Sequence, residues 1–436
     1  MTDLASPPDA TRRAWTCPFC ALLCDGLAVR PDASGAAWEL AAGACEPARR
    51  LLPRFATSPS TARPRVDGRA CDLDDAVASA AALLRASRQP LFGGLGTDVA
   101  GARALYRLAC RSGAICDAAG GEALMHGVRT QQDRGGFSTT LAEVRNRADL
   151  IVCIGGLPQG AANDFFDRCG VGEALVPARH LVLIGGSADD ETALTTLSTR
   201  PGITVESVPL HGDPRGDLFS TVALLAALVA GRQVRVRPPG LEGVAARLHA
   251  AHYAVLVGTR SRLPRHGGLV MEAVDAMVAT VNQKRRAASL WLGSGDSAGT
   301  VNEVFTWLSG LPLRSRVGPR GLEHEPLCFD AKRLLVDGTV DALLWVSAFD
   351  PDAGPPATHS SARLPTIVLA PPGAQGSADA AVFIPVSTPG IGSAGHLFRG
   401  DGGVVLPLTA LHDDGLPTVA SVVDRLALAM TEGAPA

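Results

Sequence analysis

From Asp72 onward the chain alternates short apolar runs with amphipathic helical stretches, and this rhythm limits the folds open to it more than any other feature. The runs PLFGGL, AICDAAG, DLIVCIGGL, HLVLIGGS, ITVESVPL, YAVLVGTR, ASLWLGSG, DALLWVSAFD, TIVLAPP and AAVFIPV read as buried strands. Segments such as DLDDAVASAAALLRAS, VAGARALYRLACRSG, LFSTVALLAALVAG and GLVMEAVDAMVATVNQ read as the helices between them. Strands separated by helices pair in parallel, so the expected class is α/β, with two dinucleotide-binding-like parallel-sheet domains. A chain of 436 residues exceeds one ordinary core and predicts two or three domains.

Ahead of these domains, residues 1–15 are polar and Pro-rich and are expected as a disordered tail. Residues 16–55 form a small Cys-rich segment, which must either pack on a larger domain or fold around a metal. The two α/β domains are placed at 56–238 and 239–436. Their boundary is set at the Pro-rich stretch VRVRPPGLEG, and strand exchange between them would blur it. Several strands run into Gly, Ser, Asp or Pro: GG after Ile154, GGS after Ile184, GSGDS after Leu292 and DPDAG after Phe349. Ligands of open α/β sheets bind beyond such ends, although each loop alone reads equally as an ordinary turn.

Composition excludes some functions. A net charge of -3 lacks the basic field that phosphate backbones require, so no nucleic acid is expected as a partner. The longest apolar stretch, Val222 to Val229, is far short of a bilayer span, and the N-terminus has no apolar signal core. The expected place is the cytoplasm, where ten cysteines point to thiol or thiolate chemistry and not to a disulfide framework.

Four of those cysteines are grouped. Cys17, Cys20 and Cys24 follow a C-x2-C-x3-C spacing, and Cys45 comes twenty-one residues after Cys24. Four soft sulfur donors suit a [4Fe-4S] cluster or a tetrahedral zinc. The alternative is an empty site, four reduced thiols packed as small hydrophobes. The remaining six, Cys71, Cys110, Cys116, Cys153, Cys169 and Cys328, have no paired spacing and read as core.

The opening CPFCALLCDGL resembles that of the B subunits of formylmethanofuran dehydrogenases, in the molybdopterin oxidoreductase superfamily. The similarity continues in order through PLFGGLGTDVAGARALYRLACRSGAICD, LAEVRNRADLIVCIGGLP, FTWLSGLPLR, VDALLWVSAFDP and AAVFIPVSTPGIGSAGHLFRGDGGVVLPL, over roughly residues 16 to 410. The redox-active members place a Cys or selenocysteine before a His-Gly pair to bind tungsten or molybdenum. Here that stretch is Glu122-Ala-Leu-Met125-His126-Gly127. A neutral thioether does not replace a thiolate on a high-valent metal, so Met125 reads as core filling and His126 as a relic.

The resemblance therefore implies the non-redox B subunits of methylotrophic bacteria, with no molybdopterin or tungstopterin. Their complex resembles a formyltransferase/hydrolase. It moves a formyl group from a tetrahydromethanopterin carrier to a furan-type cofactor and hydrolyses it to formate. The amidohydrolase-like A subunit carries the hydrolytic metal, the C and D subunits form the transferase part, and the B subunit braces the A subunit without an active site of its own.

Two other readings compete. Gly295-Asp-Ser297-Ala-Gly299 matches a nucleophile elbow after a strand, with His266-Gly267-Gly268 upstream and Asp350, Asp352, His359 and His396 downstream as triad partners of a serine esterase. Only one helix fits between the His-Gly-Gly and Ser297, and a helix N-cap is the plainer role for that serine. The third reading, an active molybdopterin or tungstopterin enzyme with phosphates on the Gly-rich strand ends, is opposed by Met125.

Overall fold

The protein is described from a computed structural model, which covers residues 13–43, 45–158, 164–211, 217–236, 238–293, 297–356 and 364–432. Residues 1–12 of the expected tail, and His359, lie outside the described residues. In chain order the elements are β1 (Arg13–Trp15), β2 (Leu27–Pro31), β3 (Trp38–Leu40), α1 (Glu46–Leu51), β4 (Arg65–Val66), β5 (Arg69–Ala70), α2 (Leu73–Ala86), β6 (Pro90–Gly96), α3 (Val99–Ser112), β7 (Ile115–Cys116) and α4 (Gly121–Arg134). There follow α5 (Leu141–Arg147), β8 (Leu150–Ile154), α6 (Phe165–Arg168), β9 (Arg179–Ile184), α7 (Ala188–Leu197), β10 (Ile203–Val208), α8 (Leu218–Val229), α9 (Leu241–Ala250), β11 (Tyr253–Thr259), α10 (Gly267–Val281) and β12 (Arg286–Leu292). The chain ends with α11 (Ala298–Ser309), β13 (Ser315–Gly318), β14 (Gly321–His324), α12 (Ala331–Val336), β15 (Ala342–Ser347), β16 (Thr366–Ala370), β17 (Val382–Pro385), β18 (Gly395–Phe398), β19 (Val405–Leu408) and α13 (Val419–Glu432).

These elements form two compact units. Unit 1 comprises residues 1–121, 295–398 and 405–436; unit 2 comprises 122–294 and 399–404. The sheet of unit 1 runs β14-β13-β7-β6-β15-β16-β17-β4-β5. Its five central strands, β7 to β17, are parallel, in the order 2-1-3-4-5 by their place along the chain, and antiparallel strands extend both edges. The sheet of unit 2 is parallel throughout, β10-β9-β8-β11-β12, a 3-2-1-4-5 order. Both orders belong to doubly wound nucleotide-binding sheets. The central strands are buried along nearly their whole length, which is why their sequences are continuously apolar and not alternating.

Two expectations need correction. Arg13–Trp15, assigned to the tail, is a strand: β1 pairs antiparallel with β2. Position 239, the expected domain boundary, lies inside unit 2 between α8 and α9, because β8 to β10 on one side of it and β11 and β12 on the other share one sheet. The long stretch of unit 2 begins after Gly121, beyond β7, and ends before α11, and a short return at 399–404 also belongs to it. The Cys-rich segment is part of unit 1. Trp15, Phe19, Val29, Trp38 and Leu52 pack with Ile391 and Leu411 from the far end of the sequence.

Candidate functional site: the sheet ends and the cysteine segment

The loop carrying the first three cysteines closes on itself. Cys17 N–H donates to the Cys24 carbonyl at 2.9 Å and Leu23 N–H to that of Cys20 at 3.2 Å, with Leu23 in the left-handed region at φ 42°. Cys45 occupies the N-cap position of α1, without a side-chain cap hydrogen bond. All four thiols are buried and none is in a disulfide. Burial pushes the Cys17 thiol well above its usual value, and its neighbours Cys20, Cys45 and Cys24 push it the same way. The donor chemistry is right for a thiophilic metal. The other three cysteines lie near enough to Cys17 to act on its charge, and among the described residues no group of three or more Cys, His, Asp or Glu is placed to hold an ion. Cys17 and Cys45 instead sit in an apolar core with Trp15, Phe19 and Phe55, where the indole Nε1 of Trp15 donates to the Gly390 carbonyl at 2.6 Å.

Met125 is 3% exposed and lies in α4. The next residue, His126, is pressed against the first turn of α10. A Cβ on Gly267 would come within 2.8 Å of its ring. Thr130 Oγ1, one turn along α4, donates to the His126 carbonyl at 2.8 Å and approaches that of Gly268 at 3.2 Å. Gly267 and Gly268 thus open a helix and allow close packing; they do not form the extended loop that an oxyanion site would need.

Among the described residues, side chains of the same unit pack against the glycines at the strand ends. In unit 2 the topology reverses between β8 and β11, so a ligand would lie over Gly155 and Gly156. A Cβ on Gly155 would meet Leu218 at 2.9 Å, and one on Gly156 would meet the Arg262 guanidinium at 2.7 Å. After β9, a Cβ on Gly185 would meet Leu210 at 2.4 Å. In unit 1 the reversal lies between β6 and β15. There Trp345 and the Val346 carbonyl cover Gly94, and Phe349 packs with Leu23, Leu397 and Leu408. The loop after Phe349 is pinned by Arg50, which pairs with Asp350 at 3.0 Å, and by Arg54, which pairs with Asp352 at 2.6 Å.

Ser297 stands at the N-cap position of α11, but its side chain makes no cap. Its hydroxyl donates to the Thr97 carbonyl at 2.9 Å and accepts from Thr97 N–H at 3.0 Å, stapling α11 to the end of β6. A nucleophile needs its proton on a base, and this one is on a peptide carbonyl. Asp350 and Asp352 are engaged by arginines, and the His266 ring lies edge-on to Phe219 at 5.6 Å. His396 is exposed on β18. The structure does not assemble the esterase triad from the described candidates.

Sequence reasoning missed Asp190. This carboxylate has 1% side-chain exposure and lies in the first turn of α7, where it gathers three strand ends. Its oxygens accept from Ser187 N–H and Oγ–H at 3.0 Å each, from Leu157 N–H at 3.3 Å, and from the two terminal nitrogens of Arg262 at 3.4 and 2.9 Å. Ser187 followed three residues later by an acid was a legible capping box; the arginine, 72 residues away, was not.

What the fold defines is a doubly wound α/β protein with two mainly parallel sheets. No family model matches the sequence. Among curated proteins it is 31% identical over 369 residues to the B subunit of the formyltransferase/hydrolase complex of Methylorubrum extorquens, an alignment covering 83% of this chain and 96% of the relative. It is 24% identical over 407 residues to the B subunit of the tungsten-containing formylmethanofuran dehydrogenase 2 of Methanocaldococcus jannaschii, covering 88% and 90%. A similar solved structure is the crystal structure of the Methylorubrum extorquens formyltransferase/hydrolase complex with methylofuran; the match has a TM-score of 0.70 at 28% identity and covers 85% of this chain and 99% of that one. The chain belongs to the family of B subunits of formyltransferase/hydrolase complexes.

Proposed function

We propose that this chain is the B subunit of a formyltransferase/hydrolase complex in tetrahydromethanopterin-linked one-carbon metabolism, a cytoplasmic, non-catalytic brace for the amidohydrolase-like A subunit, with the C and D subunits as the transferase part. The observation that carries this is the relationship spanning 96% of a B subunit of such a complex. Met125, a neutral thioether where a thiolate would be needed, agrees with a polypeptide without redox chemistry. Formyl hydrolysis adds water across a C–N bond and releases formate with no change in electron count, so it needs no electron carrier. Among the described residues no helix is long and apolar enough to cross a membrane.

The four cysteines serve, in this reading, as packed thiols that join the N-terminal segment to unit 1. Purified anaerobically with its partners, the chain is expected to carry iron and zinc far below one atom per chain. A brown protein with four irons, or one zinc, would refute this. Met125→Cys is expected to leave formyl hydrolysis within about twofold of wild type, since the side chain touches no reacting group, and to bring neither tungsten nor dye-linked oxidation of the formyl group. Stoichiometric tungsten or molybdenum in the wild-type complex, with electrons leaving through this chain, would restore the redox reading. Leaving the chain out of co-production is expected to abolish assembly of an active hydrolase; a fully active A subunit without it would contradict the bracing role.

A further inference from the structure

We infer that the cavity between the end of α4 and the length of α10, within unit 2, receives an arginine side chain from a partner subunit, with its guanidinium on Asp275 and Glu272 and its stem against Phe137 and Phe219. The cavity has a volume of about 490 Å³ and is partly open to solvent. Its walls combine two features that a solvated surface does not favour together. One is apolar bulk at the mouth: Phe137 is 55% exposed and Leu269 47%. The other is a pair of carboxylates one helical turn apart on α10, Glu272 and Asp275. The chain beyond α4 is built to leave them uncovered. Ser289 N–H donates to the Phe137 carbonyl at 2.8 Å and Thr139 N–H to the Ser289 carbonyl at 3.1 Å, which fixes this segment along the free edge of β12. At Gly136 a Cβ would lie 3.3 Å from the Asp275 carboxylate, so a side chain there would crowd the group.

Charge selects the occupant. Asp275 accepts from Ser289 Oγ–H at 3.0 Å, and among the described residues no cation pairs with it. Arg134, largely exposed at the end of α4, reaches only Glu272, at 3.7 Å. Burial pushes the Asp275 carboxyl up, the Ser289 bond pulls it down, and the charge of Glu272 adds to the rise. A carboxylate withdrawn from water without a counterion is costly, and a cation brought by a partner removes that cost. Arginine fits better than lysine, because a planar guanidinium can bridge two carboxylates and lie on an aromatic face at once. An inorganic cation would leave Phe137 and Leu269 in water, whereas a protein surface carrying the arginine covers them; arginine and aromatic side chains are the groups that anchor such interfaces. This assignment rests on the chain being a subunit of a formyltransferase/hydrolase complex.

The test uses the whole complex, with this chain co-produced with its partners. At about 0.15 M salt, Asp275→Asn is expected to raise the Kd of this chain for its partners by at least about tenfold, read by mass photometry on dilution. The asparagine can keep the bond from Ser289 and removes only the charge. Ala276→Trp keeps both carboxylates and puts an indole into the cavity from an exposed position, and should weaken assembly as much. A photoreactive benzoylphenylalanine at position 137, in an otherwise wild-type complex, should join this chain to a partner-subunit segment that contains an arginine; this readout does not depend on either variant folding. Assembly of both variants at wild-type affinity, or cross-links confined to this chain or to a second copy of it, would overturn the inference while leaving the B-subunit reading intact. Failure of the wild-type chain to associate with any partner would sink that reading and this inference with it.

Discussion

Arg314→Met is expected to destabilise the chain by about 3–5 kcal/mol, the cost of leaving a buried charge without its partner. Arg314 is 4% exposed, with its backbone in the left-handed region at φ 63°. Its side chain meets Asp117 at 3.3 Å, pairs with Asp330 and donates to the Pro326 carbonyl, while its amide donates to the Cys116 carbonyl at 2.8 Å. Asp117, 1% exposed, also accepts the Ala331 amide at 2.8 Å. One arginine thereby holds the end of β7, the start of β13 and the start of α12.

Burial pushes the Asp117 carboxyl up to about 6 against the pull of Arg314. An acid raised in the folded state binds more protons there than when unfolded, so its contribution to stability is complete below the unfolded value near ~4 and is lost as pH rises toward 6. Without Arg314 the folded value climbs further, and the loss extends to higher pH. Thermal melting from pH 4 to 8 should therefore show Arg314→Met nearest to wild type at the acid end and furthest from it above pH 7. Adding Asp117→Asn to Arg314→Met should flatten the difference. A deficit constant across the range would show that Arg314 acts through packing alone.

The second large effect is expected at Gly94. It sits in β6 at φ 73°, and a Cβ there would lie 2.6 Å from the Val346 carbonyl and 2.8 Å from the Trp345 ring. Neither neighbour is the free end of a flexible side chain: one is backbone of the adjacent central strand, and the other is an indole tied by Nε1 to the Ala353 carbonyl at 2.8 Å. Gly94→Ala combines left-handed strain with overpacking and should cost about 3–5 kcal/mol, enough to deplete the folded chain. Gly68→Ala is the control. Gly68 has nearly the same backbone, φ 77°, with nothing within 4 Å of the added carbon, so it should lose only about 1 kcal/mol. Equal chemical denaturation of the two variants would mean that backbone conformation, and not the close approach at β15, sets the cost.

The contrast between these two glycines also shows what could be read beforehand. The strands themselves were legible, because a strand covered on both faces must be apolar throughout, and runs such as LIVCI, LVLI and ALLWV have no other role. The antiparallel hairpin of β13 and β14 passed unnoticed because SRVGPRGLEH is an edge, where polar residues are tolerated. The ends of the strands were located correctly, whereas the residues that pack against them were not. Leu218, Arg262 and Trp345, which occupy them, come from distant stretches of the sequence that carry no local mark of the task. The same holds for Asp117 and Arg314, 197 residues apart. Met125 and the cysteine spacing were plain in the sequence, as was the family they imply, because those rest on residue identity and order and not on three-dimensional proximity.

The interruption of one sheet by another has a consequence for synthesis. When β6 and β7 leave the ribosome, their neighbour β15 does not yet exist, and the whole of 122–294 must be made first. At typical elongation speeds that delay is on the order of ten seconds or more, far longer than a compact parallel sheet needs to form once its strands are present. The later-emerging inner unit is thus free to reach its native state while the first-made strands wait with apolar faces uncovered. Nascent chains stalled once residue 294 has cleared the ribosome exit tunnel should show a protease-resistant interior fragment preceded by a digestible N-terminal part, reversing the usual order in which the start of a protein folds before its middle.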